Sequence, residues 1–148
     1  MLHVDTRLGP SPIHGIGLIA TESIAAGREV WTLLPAFDLV LDEARFRALP
    51  PAARQTILYY AFFDLHRRCF VLSSDDDRFT NHSTTPNCGM QTGKAIALRD
   101  IAAGEEITVD YAELGWTQFL GLPKNATAGS GPRVGSWDRR SPPCPGSA

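Results

Sequence analysis

Short apolar runs separated by glycines and polar turns fill the first forty residues of the chain. The runs cover residues 17–20, 30–34 and 38–41, with glycines at positions 15, 17 and 27. This spacing is typical of brief strands joined by tight turns. Residues 2–7 alternate apolar with polar, and Gly9-Pro10-Ser11-Pro12 follows them as a turn would. The N-terminal part is therefore predicted to be β structure, beginning with a strand over residues 2–7.

The pattern changes at Asp42, where a helical insert is predicted over about residues 42–67. Asp42 is suited to cap a short helix that runs to Leu49. Pro50-Pro51 is suited to begin a second helix, because proline is tolerated in the first turn. The apolar residues that recur at helical spacing in this second helix are Ile57, Tyr60, Ala61 and Leu65.

The remaining pattern returns to β structure and then loses its periodicity. The predicted elements are a strand at residues 69–72, a hairpin at residues 90–98 around Thr92-Gly93, and a β-branched strand at residues 107–111. After Gly121 the composition turns to Pro, Gly, Ser and Ala, which bury too little apolar surface to order a chain. We predict a mainly β fold of the β-rich α+β class, with one domain at residues 1–121 and a disordered tail at residues 122–148.

Composition and charge limit the size of the core and the kinds of partner that the chain can bind. The 148 residues are 43% hydrophobic, which allows one core of ordinary size. The net charge is −2, and no run of Lys and Arg is long enough to follow a phosphate backbone, so nucleic acid is not an expected partner. Residues 1–121 carry 10 basic and 15 acidic side chains. This excess either attracts lysine-containing segments or is simply a solvated surface.

Cysteine usage and hydropathy exclude further classes of protein. Cys69, Cys88 and Cys144 are far apart and odd in number, so neither a disulfide framework nor a metal site is indicated. No apolar run approaches the roughly 20 residues of a membrane span, and the N-terminus lacks the order of a signal peptide. A reducing cytoplasm is the expected location.

Three segments carry candidate chemistry: residues 11–20 (SPIHGIGLIA), 78–88 (RFTNHSTTPNC) and 104–111 (GEEITVDY). Each has an ordinary interpretation when taken alone. The glycines suit special backbone conformations, the Asn, Ser and Pro residues form turns, and a strand-end tyrosine is usually a core residue with a wet hydroxyl. Glu105 and Glu106 could attract a basic peptide, but as turn residues they are expected to be solvated.

In their order and spacing, these three segments resemble the SET-domain methyltransferases over about residues 1–120. The resemblance implies several small β-sheets, a short helical insert and a knot-like C-terminal threading. It also implies transfer of a methyl group from S-adenosylmethionine to a protein lysine, leaving S-adenosylhomocysteine. By the same resemblance, Ile16, Gly17, Asn81 and His82 would hold the donor, and Tyr111 would be catalytic.

Substrate contacts are predicted less directly. Tyr59, Tyr60, Phe62 and Phe63 fall in the insert, where one or two could line a lysine channel, although a helix core is the simpler interpretation. Met90 follows Pro-Asn-Cys-Gly, where several relatives have an aromatic residue that bears on the number of methyl groups added. The zinc cluster that follows the domain in some relatives is missing, so Trp116 or Phe119 would cover the adenine instead.

Two functions from different classes remain open on the sequence. The first is an active protein-lysine methyltransferase, whose target is a lysine-containing protein or peptide and which could form a homodimer. The second is a catalytically silent SET-like module that binds protein partners. The second would predict a broken donor motif or a lost tyrosine, and the sequence retains both motifs and Tyr111.

Overall fold

A computed structural model describes residues 1–114 of the chain. The strands are β1 (Thr6–Pro10), β2 (Ile16–Ala20), β3 (Glu29–Thr32), β4 (Leu39–Asp42), β5 (Phe62–Asp64), β6 (Cys69–Leu72), β7 (Asn81–His82), β8 (Cys88–Gln91), β9 (Lys94–Ala97) and β10 (Thr108–Val109). The α-helices are α1 (Glu43–Ala48) and α2 (Pro51–Tyr60), and a 3-10 helix spans Asp76–Phe79. The predicted mainly β fold is confirmed.

Within residues 1–114, the strands form four small sheets instead of one large one. Their orders are β1-β2, β3-β9-β8, β4-β6-β5 and β7-β10. The β7–β10 pair is parallel and joins two residues from each strand, while the other three sheets are antiparallel. The hairpin between β8 and β9 turns at Thr92 and Gly93 with φ values of 48° and 82°, as a tight two-residue turn requires, which confirms that prediction.

The helical insert begins as predicted and ends earlier. The Asp42 carboxylate caps α1 by accepting the backbone N–H of Arg45 at 2.7 Å. The second helix was expected to continue through Leu65, but α2 stops at Tyr60. The next residues form β5, which pairs with β6 and buries Phe63. Tertiary pairing has therefore overridden the helical spacing of the apolar residues.

The first strand also lies later than predicted. The structure places β1 at Thr6–Pro10, so the Gly9-Pro10 pair belongs to the strand and not to a turn. Pro10 is tolerated because it is the last residue of β1, at the end of a two-stranded sheet where it lies opposite Ile16. Leu2 makes only an isolated bridge to Trp31.

Two hydrophobic clusters lie on either side of β6. Cys69 and Val71 pack into the main core, whereas Phe70 between them packs into a second core, as the two-residue period of a strand allows. The second core consists of Leu41, Phe46, Ile57, Ala61, Phe63 and Phe70. The insert therefore has a core of its own on one side of β6, and Phe62 of β5 also contacts Trp31 of the main core.

The segment that follows β9 runs between the first two motifs. Its residue Ile107 donates its backbone N–H to Leu18 of β2 at 2.8 Å, and the Glu105 carbonyl accepts the backbone N–H of Ala20 at 2.9 Å. The chain then pairs with β7 through β10. The knot-like threading of the residues beyond Leu114 stays a prediction. Within residues 1–114, none of the helices is long and apolar enough to cross a membrane.

Candidate active site

The side-chain amide of Asn81 joins all three motifs. Its Nδ2 atom lies within donating distance of the carbonyl oxygens of His14 at 3.1 Å and Ile16 at 3.2 Å. It also donates to Oε1 of Glu106 at 2.8 Å. Asn81 is buried at the start of β7, so these contacts fix the glycine-containing turn against the third motif.

Glu106 of the third motif also contacts the first motif directly. Its second carboxylate oxygen accepts the Ser11 hydroxyl at 2.9 Å. A Cβ atom placed on Gly17 would lie 2.6 Å from the Glu106 Cδ atom, so the carboxylate occupies the room that a side chain would need. The expectation of a simple solvated turn residue is therefore wrong for Glu106.

The neighbouring carboxylate of Glu105 is also engaged, but with a cation. Arg99 donates to it at 2.5 Å, and the Asn87 amide donates at 3.1 Å. The Arg99 hydrogen bond is the main cause that lowers the pKa of Glu105 to about 2. The Glu105 side chain is still 31% exposed, so this pair lies at the surface.

Asn87 has a structural role that the sequence interpretation did not assign. It is 1% exposed, and its Oδ1 atom accepts the backbone N–H of Thr108 at 2.8 Å. Its Nδ2 atom donates to the Glu106 carbonyl at 2.8 Å. The buried amide thus satisfies the backbone on both sides of Ile107, and its place in the Pro-Asn of the second motif was the available signal.

Tyr111 is held at both its backbone and its hydroxyl. Its backbone N–H donates to Nδ1 of His82 at 3.2 Å, and its hydroxyl donates to the Thr80 carbonyl at 2.8 Å. Burial is the main cause that raises the pKa of Tyr111 to about 12, with Tyr59 and Asp77 adding to the effect. The phenol is therefore neutral at physiological pH, and its oxygen keeps lone pairs free to accept a hydrogen bond.

Asp77 is a titratable residue that acts electrostatically on Tyr111, and the sequence interpretation missed it. Its carboxylate accepts the Ser73 hydroxyl at 2.9 Å and lies 3.4 Å from the Thr80 hydroxyl, and both partners are buried. The residue as a whole keeps partial exposure, but its carboxylate faces inward. Desolvation is the main cause that raises the pKa of Asp77 to about 6.

The predicted substrate residues differ in their exposure. Tyr59 is 66% exposed and Tyr60 is also exposed, so neither belongs to a helix core. Their rings meet edge to face at 4.7 Å between centroids, and the Tyr60 ring lies 5.8 Å from that of Phe79. Met90 is half-buried in β8 against the main core. Trp116 and Phe119 lie outside the described residues.

A hollow beside the first motif provides apolar surface next to these polar groups. It has a volume of about 360 Å³ and is lined by Leu8, Gly9, Pro10, Gly15 and Ile16. Ile16 is 51% exposed there, while its carbonyl faces Asn81. The lining is mainly apolar, so the hollow suits the apolar part of a ligand.

Comparison with known proteins identifies the family. The model of the SET domain matches residues 15–112, which include Asn81, its partners Ile16 and Glu106, and most of the three motifs. The chain belongs to the SET-domain family. No set of three or more His, Cys, Asp or Glu side chains within residues 1–114 is arranged to hold a metal ion.

Relatives of this SET-domain chain include two proteins from strains of Cryptococcus neoformans, named as histone-lysine N-methyltransferases specific for lysine 36 of H3. Each is 27% identical over 108 residues, which is 66% of this chain and 13% of the relative. The chain therefore matches only a small part of the length of these relatives.

Solved structures of similar fold show the same architecture. A candidate histone methyltransferase of Plasmodium falciparum superimposes with a TM-score of 0.55 at 16% identity, covering 74% of this chain and 95% of that one. A humanized mutant of the Chaetomium thermophilum Polycomb Repressive Complex 2, bound to the inhibitor GSK126, gives 0.57 at 23% identity, covering 78% and 16%. Both support the predicted SET fold.

Proposed function

We propose that the protein is a protein-lysine N-methyltransferase that uses S-adenosylmethionine. The observation that carries the proposal is the position of Tyr111, whose hydroxyl is oriented by Thr80 and whose backbone is bonded to His82. Family membership and the names of the curated relatives support the same reaction. The carbonyl and carboxylate oxygens of His14, Ile16 and Glu106 around the Asn81 amide support a cationic donor.

S-adenosylmethionine, when bound, supplies a methyl group on a positively charged sulfur that is open to in-line displacement by an amine. The chain's own contribution is to align the amine and to exclude water, since positioning accounts for much of the rate of such reactions. The lysine must be neutral to attack, yet only about one in a thousand lysines is uncharged near pH 7.4. A water-poor site near Tyr111 would favour the neutral amine.

Tyr111 is suited to aim the amine. Because its hydroxyl hydrogen is given to the Thr80 carbonyl, its oxygen presents only lone pairs to the substrate. An N–H of the neutral lysine can donate to that oxygen, which leaves the nitrogen lone pair free for the methyl group. The raised pKa of Tyr111 keeps the phenol neutral at the mildly alkaline pH where more lysine is deprotonated.

The substrate class proposed is a lysine-containing segment of a protein, and histone H3 is the first to test because the curated relatives are named for it. The described domain carries more acidic than basic side chains, which suits a basic tail.

The test is methyl transfer from labelled S-adenosylmethionine to histone H3 and to a mixed lysate, with mass spectrometry to locate the modified lysine. Tyr111→Phe is expected to lower the rate at saturating donor at least tenfold, on the order of one well-placed hydrogen bond in the transition state. Donor affinity should stay within about twofold, because the substituted hydroxyl faces Thr80 and the amine. Thermal unfolding verifies that the variant is folded.

Three results would contradict the proposal. Full activity in folded Tyr111→Phe would remove Tyr111 from the reaction. Absence of donor binding by the wild-type chain in calorimetry would favour the silent interaction module, whereas donor binding without transfer to any protein in the lysate would contradict the lysine as acceptor.

A further inference from the structure

We infer that Glu106 makes the site prefer the positively charged donor S-adenosylmethionine over its product S-adenosylhomocysteine, whose sulfur is uncharged. The inference rests on the proposed function and assigns the charge selectivity of that site to one side chain. The two ligands differ by one methyl group and one positive charge. A fixed negative charge beside the site acts on this difference directly.

Position is the first support. The Glu106 carboxylate touches the residues that the motifs predict for the donor: it accepts the Asn81 amide at 2.8 Å and lies against the backbone of Gly17. Its other oxygen accepts the Ser11 hydroxyl at the start of the same turn. A ligand bound along Ile16 and Gly17 therefore lies within a few ångströms of this carboxylate.

Unsatisfied acceptor capacity is the second support. The Asn81 amide nitrogen has two hydrogens, but three oxygens surround it, from His14, Ile16 and Glu106. At least one of these oxygens therefore receives only a weak or shared hydrogen bond from the amide. A cationic ligand would be attracted to such a group of carbonyl and carboxylate oxygens, and a neutral thioether would gain little from it.

The contrast between the two adjacent glutamates is the third support. Arg99 forms an ion pair with Glu105 at 2.5 Å. Among the ion pairs of residues 1–114, none includes Glu106, whose hydrogen-bond partners Ser11 and Asn81 are uncharged. Among residues 1–114, one carboxylate of the pair is therefore neutralised by a cation, and the charge of the other is available to a ligand.

The test is calorimetric measurement of the dissociation constants for S-adenosylmethionine and S-adenosylhomocysteine with the full chain. Glu106→Gln keeps the size and an acceptor oxygen but removes the charge. It should weaken binding of S-adenosylmethionine on the order of tenfold and change binding of S-adenosylhomocysteine by less than about twofold. The double variant Glu105→Gln/Arg99→Gln is the matched control, and it should change both affinities equally because it removes an ion pair that has no net charge.

The outcomes separate the inference from the proposed function. If the wild-type chain binds neither ligand, the proposed function fails. If the wild type binds both and folded Glu106→Gln weakens both equally, the charge of Glu106 does not discriminate and the inference is overturned. Should Glu106→Gln not fold, the ratio of the two wild-type affinities decides: it should fall as NaCl rises from 0.05 to 0.5 M, and a salt-independent ratio overturns the inference.

Discussion

The backbone N–H of Tyr111 donates to the Nδ1 atom of His82 across 3.2 Å. Since the amide is the donor, the ring nitrogen must be the unprotonated acceptor. The Asp110 carboxylate lies 3.6 Å from the same ring nitrogen and would become its partner if that nitrogen were protonated. His82 therefore sets the backbone position of Tyr111 as well as standing among the predicted donor residues.

The first prediction concerns this acceptor. His82→Ala is expected to lower the methyl-transfer rate about tenfold at saturating donor, because one backbone hydrogen bond contributes about 1 kcal/mol and its loss lets Tyr111 shift. His82→Asn places an amide oxygen where Nδ1 stood and should recover most of that rate. Stopped assays at several donor concentrations separate the effect on rate from the effect on donor affinity. Equal rates for the two variants would count against the positioning role.

Gly17 gives a second prediction, because the Glu106 carboxylate fills the space of a Cβ atom. Gly17→Ala should destabilise the fold by about 1–3 kcal/mol in urea unfolding, as overpacking does. Glu106→Ala in the same chain removes the obstructing carboxylate. The double variant should therefore lose less stability than the sum of the two single variants. Strict additivity would show that the two side chains do not compete for the same space.

Asp77 gives a prediction about pH. Because its pKa in the folded chain is about 6, above the ordinary 3.8, the folded state holds this proton more tightly than the unfolded state does. Its contribution to stability is full below about pH 4 and is lost as the pH rises to about 6. The unfolding free energy of Asp77→Asn, relative to that of the wild type, should therefore rise by about 1–3 kcal/mol between pH 4 and pH 7.5. Urea unfolding at both values provides the measurement, and a constant difference would exclude a raised pKa for this carboxyl.

Glu105 gives a prediction in which stability depends on pH with the opposite sign. Its pKa is lowered to about 2 in the folded chain, mainly by Arg99, so its contribution is present above about pH 4.5 and lost as the pH falls towards 2. Glu105→Gln should make the unfolding free energy less sensitive to pH in that range. Arg99→Gln removes the cation and should flatten the same part of the profile. An unchanged acid profile in either variant would show that this surface pair contributes nothing measurable.

The parts of the fold that local sequence fixes were predictable. Strand β6, the cap of α1 at Asp42 and the turn at Thr92-Gly93 each follow from residues within a few positions of one another. The end of α2 could not be predicted from the helical spacing of the apolar residues. Phe63 belongs to β5 because that segment pairs with β6, a strand that follows later in the chain.

The candidate site shows the same division. The motifs identified Asn81, His82 and Tyr111, and the structure brings them together with the glycine-containing turn. The engagement of Glu106 depends on Ser11, 95 residues away, and no local pattern reports such a contact. Asp77 was missed for a related reason: a run of three aspartates indicates a solvated turn, and only the fold directs one of them inward.

The position of β6 between the two hydrophobic cores suggests how this domain could be re-engineered. Because the buried apolar side chains of α1 and α2 pack into the second core, a different helical hairpin could be grafted over residues 43–60, with Phe62 kept for its contact with Trp31 of the main core. The graft would replace Tyr59 and Tyr60, which face solvent, and would spare Asn81, Glu106 and Tyr111. The pKa of Tyr111 would then report whether the graft disturbs the candidate site, because Tyr59 is among the residues that raise it.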